Sequence, residues 1–470
     1  MSCLSRRAFA GGMLGANLLR AQTAAQPDIP QVTEQGQRAL EAARAAIPRI
    51  RMRDVELALV DRSGEALPKV AVEVVQVRHA FPFGDNMWDL DKFFRNRQQD
   101  ADRARYWKQH FLEALTAATA LCYWTERPTT DSAKTEDAQG EPMLDGFAYC
   151  VDWAAAHGLT VKGHPLFWSI PKAIPEWVKR YDYATQVKFA EVRVRDLVAR
   201  FRGRVAIWDV VNEALWEASP RHLPERHWPH LETAAEMADY VGRVIRWARE
   251  EDPDATLVLN DYGLEQDYRN GAPVALDGTR VTAALQRKRM LELVRTLRSR
   301  GTPPGAIGMQ SHPDGWMEPA AQRRLYDEMA EAGLPLHVTE FSAGAPRGVT
   351  PAQADQLAAD YVANVMTVAF GHAAVEAFFF WGTDGIAWRE PAGRDPAKVF
   401  ARVRDLIHKE WNTRVSLVSD EGGRVRFRGF LGEYALRRQT GPSLSEGVRF
   451  AVNRQETMPL RLTVPRVAGN

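Results

Sequence analysis

The sequence predicts an α/β fold, a (β/α)8 barrel of the TIM-barrel type with a small antiparallel β appendage formed by N- and C-terminal strands. Through the middle of the chain, short apolar and β-branched segments alternate with amphipathic helical stretches, which is typical of a parallel barrel. Two of these apolar segments stop on a glutamate, Glu213 and Glu340. After Trp411 the pattern changes to short strands separated by turn residues, which indicates an antiparallel unit.

The predicted barrel strands lie between Phe81 and Trp381. They end near Asp85, Ala118, Phe167, Val211, Asn260, Gln310, Thr339 and Trp381. Amphipathic stretches separate them, at residues 183–201, 231–250, 281–300, 320–332 and 351–370. Since barrels of this kind build their active sites at the carboxyl ends of the strands, residues at these strand ends are the candidates for function.

The sequence patterns divide the chain into four segments. They are a signal peptide at 1–25, an N-terminal helix and strands at 26–80, the (β/α)8 barrel at 81–412 and a C-terminal β appendage at 413–470. In the second segment we expect a helix at 38–51 and strands at 55–60 and 70–75. These early strands should join those after Trp411 in one β unit, because neither set alone has enough strands to be stable.

The amino terminus resembles a twin-arginine export signal. Arg6 and Arg7 precede a small, apolar stretch at 10–19 and an alanine-rich segment at 21–25 that offers a cleavage site. The apolar stretch is too short to span a bilayer. We therefore expect no membrane span and a periplasmic or extracellular location, with a disordered tail as the alternative.

Composition limits the partners of this protein. The 470 residues carry 61 basic and 60 acidic side chains, a net charge of +1, without a basic stripe that would favour nucleic acid or an anionic membrane. Fourteen tryptophans point mildly to flat apolar ligands such as sugar rings. We expect a monomer that binds no nucleic acid.

The cysteines give no sign of a metal site. Of the three cysteines, Cys3 would leave with the signal, so that Cys122 and Cys150 remain. They are either bonded to each other in an oxidising compartment or are two buried thiols. No metal-ligand spacing surrounds them, and we expect neither a metal nor a cofactor.

The two glutamates at strand ends suggest a chemistry. A pair of carboxylates facing each other across a groove is what glycosidic-bond cleavage needs, since one gives a proton to the leaving oxygen and the other attacks or stabilises the sugar cation. Asn212, which precedes Glu213, would be placed to hydrogen-bond a sugar hydroxyl. The alternative interpretation is that each glutamate merely caps a buried strand.

Seven motifs extend this hypothesis to nearly the whole chain. They are Phe81-Pro82-Phe83-Gly84; Lys162-Gly163-His164-Pro165-Leu166-Phe167-Trp168; Trp208-Asp209-Val210-Val211-Asn212-Glu213; Asn260-Asp261-Tyr262; Gly308-Met309-Gln310-Ser311-His312; His337-Val338-Thr339-Glu340; and Trp381-Gly382-Thr383-Asp384 with Trp388-Arg389. With these motifs in this order, the chain resembles glycoside hydrolase family 10, the xylanase family, from about Arg53 to Trp411.

The resemblance implies roles for individual residues. Glu213 would be the general acid/base and Glu340 the nucleophile of a retaining double displacement. The implied substrate-binding residues are Asn212, His164, Trp168, Tyr262, Gln310, His312, Trp381 and Trp388. We expect His312 and Asn212 to donate hydrogen bonds to the nucleophile, Gln310 to lie near the nucleophile, and Trp381 to form the apolar floor under the sugar.

The chain departs from the family where the second sugar on the non-reducing side is held. Ala117, Ala118 and Leu121 stand in place of a glutamate, an asparagine and a lysine, and Pro171 lies nearest the place of a missing glutamine. Milder departures are Ser342, where an aspartate commonly orients the histidine behind the nucleophile, and Gly263 for an asparagine. A second sugar should then bind weakly, because several hydrogen bonds of about 0.5–1.5 kcal/mol each are absent.

Three functions are compatible with these features. The favoured one is an exported endo-β-1,4-xylanase-like hydrolase that acts on an oligo- or polysaccharide. The second is a retaining β-glycosidase that grips a single glycone sugar and takes a different aglycone or a branched substrate. The third is a non-catalytic carbohydrate-binding protein, which the retention of both glutamates disfavours.

Overall fold

The structure is a computed structural model of the chain. It describes residues 32–95, 101–126, 133–222, 227–313, 315–342, 349–382, 398–440, 443–444, 447–455 and 457–465. The signal peptide expected at 1–25 and the predicted site residue Trp388 lie outside these residues.

The described strands and helices alternate through the middle of the chain. In chain order the strands are β1 (Met52–Val60), β2 (Ala71–His79), β3 (Phe83–Asn86), β4 (Ala117–Leu121), β5 (Tyr123–Glu126), β6 (Lys134–Glu136), β7 (Thr160–His164), β8 (Phe167–Trp168), β9 (Ile207–Asn212), β10 (Thr256–Asp261), β11 (Ala306–Met309), β12 (Leu336–Phe341), β13 (Val375–Phe380), β14 (Arg414–Val418), β15 (Arg424–Phe430), β16 (Gly432–Thr440), β17 (Ser443–Leu444), β18 (Val448–Val452) and β19 (Leu460–Thr463). The helices are α1 (Glu34–Arg51), α2 (Trp88–Arg95), α3 (Ala101–Ala114), α4 (Asp145–Ala156), α5 (Tyr183–Phe201), α6 (Ala234–Glu251), α7 (Ala283–Ser299), α8 (Pro319–Met329), α9 (Pro351–Phe370) and α10 (Lys398–Asp405), the last continued by a π-helical turn, Leu406–Glu410.

Eight parallel strands close into a barrel, as the sequence predicts. Their order is β3-β4-β7-β9-β10-β11-β12-β13, and β13 pairs again with β3. The third barrel strand ends at His164 and not near Phe167, because Pro165 has no amide N–H with which to extend the ladder. The chain resumes pairing with β9 at Phe167–Trp168.

Side-chain alternation along the barrel strands separates two cores. Six residues from five strands meet inside the barrel: Ala117, Ile207, Val258, Ala306, Ala377 and Phe379. Neighbours of opposite parity, such as Ala118 and Ala120, belong to the larger core shared with the helices. This division follows from the two-residue period of a strand, and it decides which residues of β4 can face a ligand.

The helix predicted at 38–51 forms and packs on the barrel. α1 begins after Thr33, whose hydroxyl accepts a hydrogen bond from the Gly36 amide. At its other end the buried Arg51 donates to the carbonyl oxygens of Phe370 at 2.8 Å and His372 at 2.9 Å. The guanidinium therefore satisfies carbonyls at the end of α9, where the helix itself supplies no donors.

The appendage combines strands from both ends of the chain, as expected. One sheet has the order β15-β1-β19, and the other has the order β14-β2-β16 with β17 and β18 on β16. Their facing sides share a core that includes Val55, Leu57, Val74, Tyr434 and Leu436. The pairing of β1 with β19 is parallel, so the unit is antiparallel except at that edge.

The structure resolves the alternative that the cysteines leave open. Cys122 and Cys150 are free thiols in the core, and burial raises the pKa of Cys122 to about 12.

Among the described helices, none combines the length and apolar character needed to cross a membrane.

Candidate active site

The carboxyl ends of the barrel strands bring most of the predicted site residues together. Asn212 ends β9 and Glu213 follows it, Glu340 lies near the end of β12, and His164 ends β7. Gln310 directly follows β11. Both glutamates are almost fully buried, at 2% and 4% exposure, so each needs hydrogen-bond partners inside the protein.

A relay of side-chain amides joins the two carboxylates. The Asn260 Nδ2 donates to Glu340 Oε1 and to Asn212 Oδ1, both at 2.8 Å. The Gln310 Nε2 donates to Asn212 Oδ1 at 3.2 Å and to Glu213 Oε1 at 3.0 Å. The relative placement of the two acids is therefore set by three amide side chains from three neighbouring strand ends.

Glu340 is held in its ionised form. Burial raises the pKa of Glu340, but the hydrogen bond from His312 and the positive charges of His164, His312 and Lys162 outweigh it and lower the pKa to about 2. The His312 Nε2 lies 3.1 Å from Glu340 Oε2, and its Nδ1 lies 2.8 Å from the Ser342 hydroxyl. Ser342 thus contacts the imidazole from the position where the resemblance implies an aspartate.

Glu213 accepts hydrogen bonds at both carboxylate oxygens. The Trp168 Nε1 donates to Oε2 at 2.9 Å, opposite the Gln310 amide on Oε1. The backbone of Glu213 is left-handed, with φ of 63°. This conformation costs free energy in any residue that has a Cβ atom. Hydrogen bonds from the Glu213 amide to the Asn260 carbonyl and from the Leu215 amide to Asp261 Oδ2, both 2.8 Å, hold this turn.

Ser311 also has a left-handed backbone, with φ of 58°. This conformation sets the directions of the side chains on either side of Ser311. The half-buried Glu265 accepts hydrogen bonds from the Ser311 amide at 2.8 Å and from the Ser311 hydroxyl at 3.1 Å. Gln310 and His312, on either side of Ser311, can then reach different carboxylates, since Gln310 contacts Glu213 and His312 contacts Glu340.

His164 is oriented from below by a buried carboxylate. Its Nδ1 lies 2.7 Å from Asp209 Oδ2, which also pairs with Lys162 Nζ at 2.6 Å. The same Nδ1 is 3.8 Å from Glu340 Oε1. Trp381 packs edge-on against the His164 ring, with ring centroids 5.1 Å apart, so the predicted floor residue borders the carboxylates.

A wall of aromatic residues adjoins each carboxylate. Beside His164, the Tyr123 ring lies 5.7 Å from the rings of His164 and Trp168. Beside Glu213, Tyr262 stacks on Trp216 at 5.1 Å and 13° between planes. We name the stack of Tyr262, Trp216 and Trp228 the Trp216 platform; Trp228 covers Trp216 at 5.6 Å.

One expectation about the amides is wrong. Asn212 does not donate to Glu340, because its Oδ1 accepts from Asn260 and it is Asn260 that donates to Glu340. Gln310 donates to Glu213, and Asn212 and Asn260 connect it to the predicted nucleophile. Sequence reasoning also missed Asn260 and Asp209 as parts of the site, although both lie within motifs and on strands that carry other predicted residues.

The expectation that Ala117 and Ala118 line the site is also wrong. Ala117 faces the barrel interior with Ile207 and Phe379, and Ala118 faces the helices. At the carboxyl end of β4, Leu121 packs with Tyr123, Trp168 and Ile170. The wall beside His164 is nevertheless apolar, because aromatic and aliphatic side chains occupy it.

Comparison with known proteins identifies the family. The sequence profile described as "Glycosyl hydrolase family 10" matches residues 123–403, more than half of the chain. The chain belongs to glycosyl hydrolase family 10.

Curated relatives are similar over most of this chain at low identity. An anti-sigma-I factor, RsgI6, from Acetivibrio thermocellus is 26% identical over 90% of this chain and 49% of its own length. Endo-1,4-beta-xylanase 1 from Arabidopsis thaliana is 25% identical over 87% of this chain and 39% of its own length. The chain thus spans half or less of these two relatives.

A solved structure of the family has the same fold. Xylanase 10B from Thermotoga petrophila, in complex with xylobiose, superposes with a TM-score of 0.53 at 20% identity, over 70% of this chain and 95% of that one. At this identity the likeness concerns the barrel alone.

Proposed function

We propose that this chain is a retaining β-glycoside hydrolase of the endo-β-1,4-xylanase type, acting on an oligo- or polysaccharide. One observation carries the proposal: two buried carboxylates at opposite ends of an amide relay have different surroundings. Glu340 has a cationic environment that lowers its pKa to about 2. Glu213 accepts hydrogen bonds from the neutral donors Trp168 and Gln310, which suits a group that must carry a proton in one step and release it in the other.

The first step forms a bond between a Glu340 oxygen and the anomeric carbon. As the bond from that carbon to the leaving oxygen breaks, Glu213 gives its proton to the leaving oxygen, and the sugar becomes covalently attached to Glu340 with inverted configuration. In the second step Glu213, now a carboxylate, takes a proton from water while the water oxygen displaces Glu340. Two inversions give net retention, and both acids return to their starting forms.

The surrounding residues would hold the sugar for this reaction. The Asn212 Oδ1 is engaged by Asn260 and Gln310, while the described residues supply no acceptor for its Nδ2. That nitrogen is therefore the donor we assign to a sugar hydroxyl. Trp381 and His164 would form the floor, and the Trp216 platform would contact the leaving group.

Replacing each acid separately tests the assignment. Glu340→Ala should lower kcat/KM by roughly 10⁴-fold or more, about 5.5 kcal/mol. In Glu213→Ala, azide should restore turnover of an activated aryl glycoside, because it replaces the missing general base by attacking the glycosyl-enzyme itself. Glu331→Ala, an exposed carboxylate on the barrel surface, is the control and should leave the rates unchanged. NMR detection of a first product with inverted configuration would contradict the retaining mechanism.

The pH profile tests the role of His312. In His312→Ala, burial still raises the pKa of Glu340 while its main hydrogen-bond donor is lost, so the nucleophile should protonate at higher pH. The acidic limb of kcat/KM should then move up by roughly one pH unit or more. Ser342→Ala retains the Nε2 contact with Glu340 and should produce a smaller displacement. An acidic limb that stays in place or moves down in His312→Ala excludes this role.

The apolar wall of Leu121, Tyr123 and Trp168 favours a second candidate, a β-glycosidase that grips one glycone sugar. Because this wall is built mainly of aromatic and aliphatic surface, a second sugar should contribute little binding energy to the transition state. Aryl β-xylobioside should then exceed aryl β-xyloside in kcat/KM by less than about tenfold, or 1.4 kcal/mol. A thousandfold gain would mean that other residues bind the second sugar and that the chain acts as an ordinary xylanase.

We further propose that the protein is exported in its folded state. Arg6 and Arg7, followed by a short apolar stretch, support the proposal. Replacing both arginines by lysine should retain the protein in the cytoplasm, measured by fractionation and immunoblotting, while replacement of Arg20 in the same way should not. Equal export of both variants would count against a twin-arginine signal.

A further inference from the structure

We propose that His222, His230 and Glu232 bind a divalent transition-metal cation, with Zn²⁺ as the preferred ion. The three residues lie within the connection between β9 and α6, outside the carboxylate site. One potential ligand atom from each lies within 4.8 Å of the others. This departs from the expectation, drawn from the sequence, that the protein holds no metal.

The spacing of the ligand atoms suits a small tetrahedral ion. The His222 Nε2 lies 3.1 Å from Glu232 Oε1, and the two imidazole rings have centroids 4.6 Å apart at 40° between planes. Atoms bound to zinc at about 2.1 Å in tetrahedral geometry are roughly 3.4 Å apart. The His222–Glu232 pair is close to this separation, and His230 offers a ring nitrogen within 4.8 Å of both.

Glu232 is a fixed ligand. Its side chain is 3% exposed, and its Oε2 accepts a hydrogen bond from the Ser219 amide at 3.2 Å. Its backbone carbonyl accepts from Arg289 Nη2, also at 3.2 Å. One carboxylate oxygen is therefore anchored while the other is directed at His222, as hydrogen-bonded metal ligands commonly are.

The donor set selects the class of ion. Two imidazole nitrogens and one carboxylate suit Zn²⁺ and neighbouring transition metals, whereas Ca²⁺ and Mg²⁺ require mainly oxygen ligands. A charge pair alone would need only one histidine beside Glu232. The second imidazole also places a ring nitrogen within 4.8 Å of the other two ligand atoms, which gives the three groups the spacing of a shared cation site.

A metal bound at this cluster would affect the neighbouring Trp216 platform. His222 ends a 3₁₀ turn, Pro220–His222, and His230 lies two residues after Trp228. Trp228 stacks on Trp216 and its Nε1 lies 3.3 Å from the Tyr262 hydroxyl. A bound cation would thus fasten the segment that completes the Trp216 platform to the buried Glu232.

Titration of the chelator-treated full chain, without a polyhistidine tag, tests the proposal. By calorimetry we expect one equivalent of Zn²⁺ to bind with a Kd in the micromolar range or below, and Ca²⁺ to give no comparable heat. Co²⁺ should produce the visible absorption of a tetrahedral site. His222→Ala and His230→Ala should each weaken Zn²⁺ binding at least tenfold, while the exposed His157→Ala serves as a matched control and should bind like the parent.

Two outcomes would overturn the site, and a third comes from a glutamine variant. One is the absence of one-to-one Zn²⁺ binding below millimolar concentration in the unmodified protein. The other is undiminished affinity in both histidine variants, which would place the ion elsewhere. Glu232→Gln keeps the side-chain shape and removes the charge, so weakened Zn²⁺ binding in this folded variant supports the site and unchanged binding contradicts it. These readouts do not depend on hydrolysis, and they remain decisive even if the proposed function fails.

Discussion

Two carboxylates lie buried where β9 and β12 leave the barrel, and the amides of Asn260, Asn212 and Gln310 keep both in place. A buried carboxylate without partners is costly, and here each one receives a hydrogen bond from an amide that also donates to the Asn212 oxygen. Asn260 donates to Glu340 and Asn212 from a single nitrogen, at 2.8 Å each. The barrel supplies this arrangement because its closure brings the ends of β9, β10 and β11 side by side.

The backbone around the relay is built for close approach. Glu213 and Ser311 are both left-handed, and each is held by hydrogen bonds from or to a neighbouring strand end. Gly308 lies beneath them, where an added Cβ would come within 2.5 Å of Asn260 Oδ1. A side chain at that position would displace the amide that contacts both Asn212 and Glu340. Backbone strain and close packing are thus found at the residues that position the two carboxylates.

The parts of the chain outside the barrel serve stability and the rims of the site. In the appendage, β1 and β2 each lie between strands from the C-terminal segment, so the two ends of the chain form one apolar core. In the connection between β9 and α6, Trp228 belongs to the Trp216 platform, and His222, His230 and Glu232 are the proposed metal ligands. The two carboxylates therefore depend on the barrel strands for their placement, while the aromatic residues beside Glu213 come in part from this connection.

The sequence alone determined the barrel, the appendage and the position of Glu213 and Glu340, because these follow from local periodicity and from where apolar strands stop. Only the tertiary structure decided the partners of those acids. It replaced Asn212 by Asn260 as the donor to Glu340, gave Gln310 a hydrogen bond to Glu213, and turned Ala117 and Ala118 away from the site. The proximity of His222, His230 and Glu232 is likewise a feature that only the tertiary structure decided. Each of these contacts depends on strand register or on the path of a loop. A one-residue change in register, for example, reverses the side of the sheet to which a strand residue points.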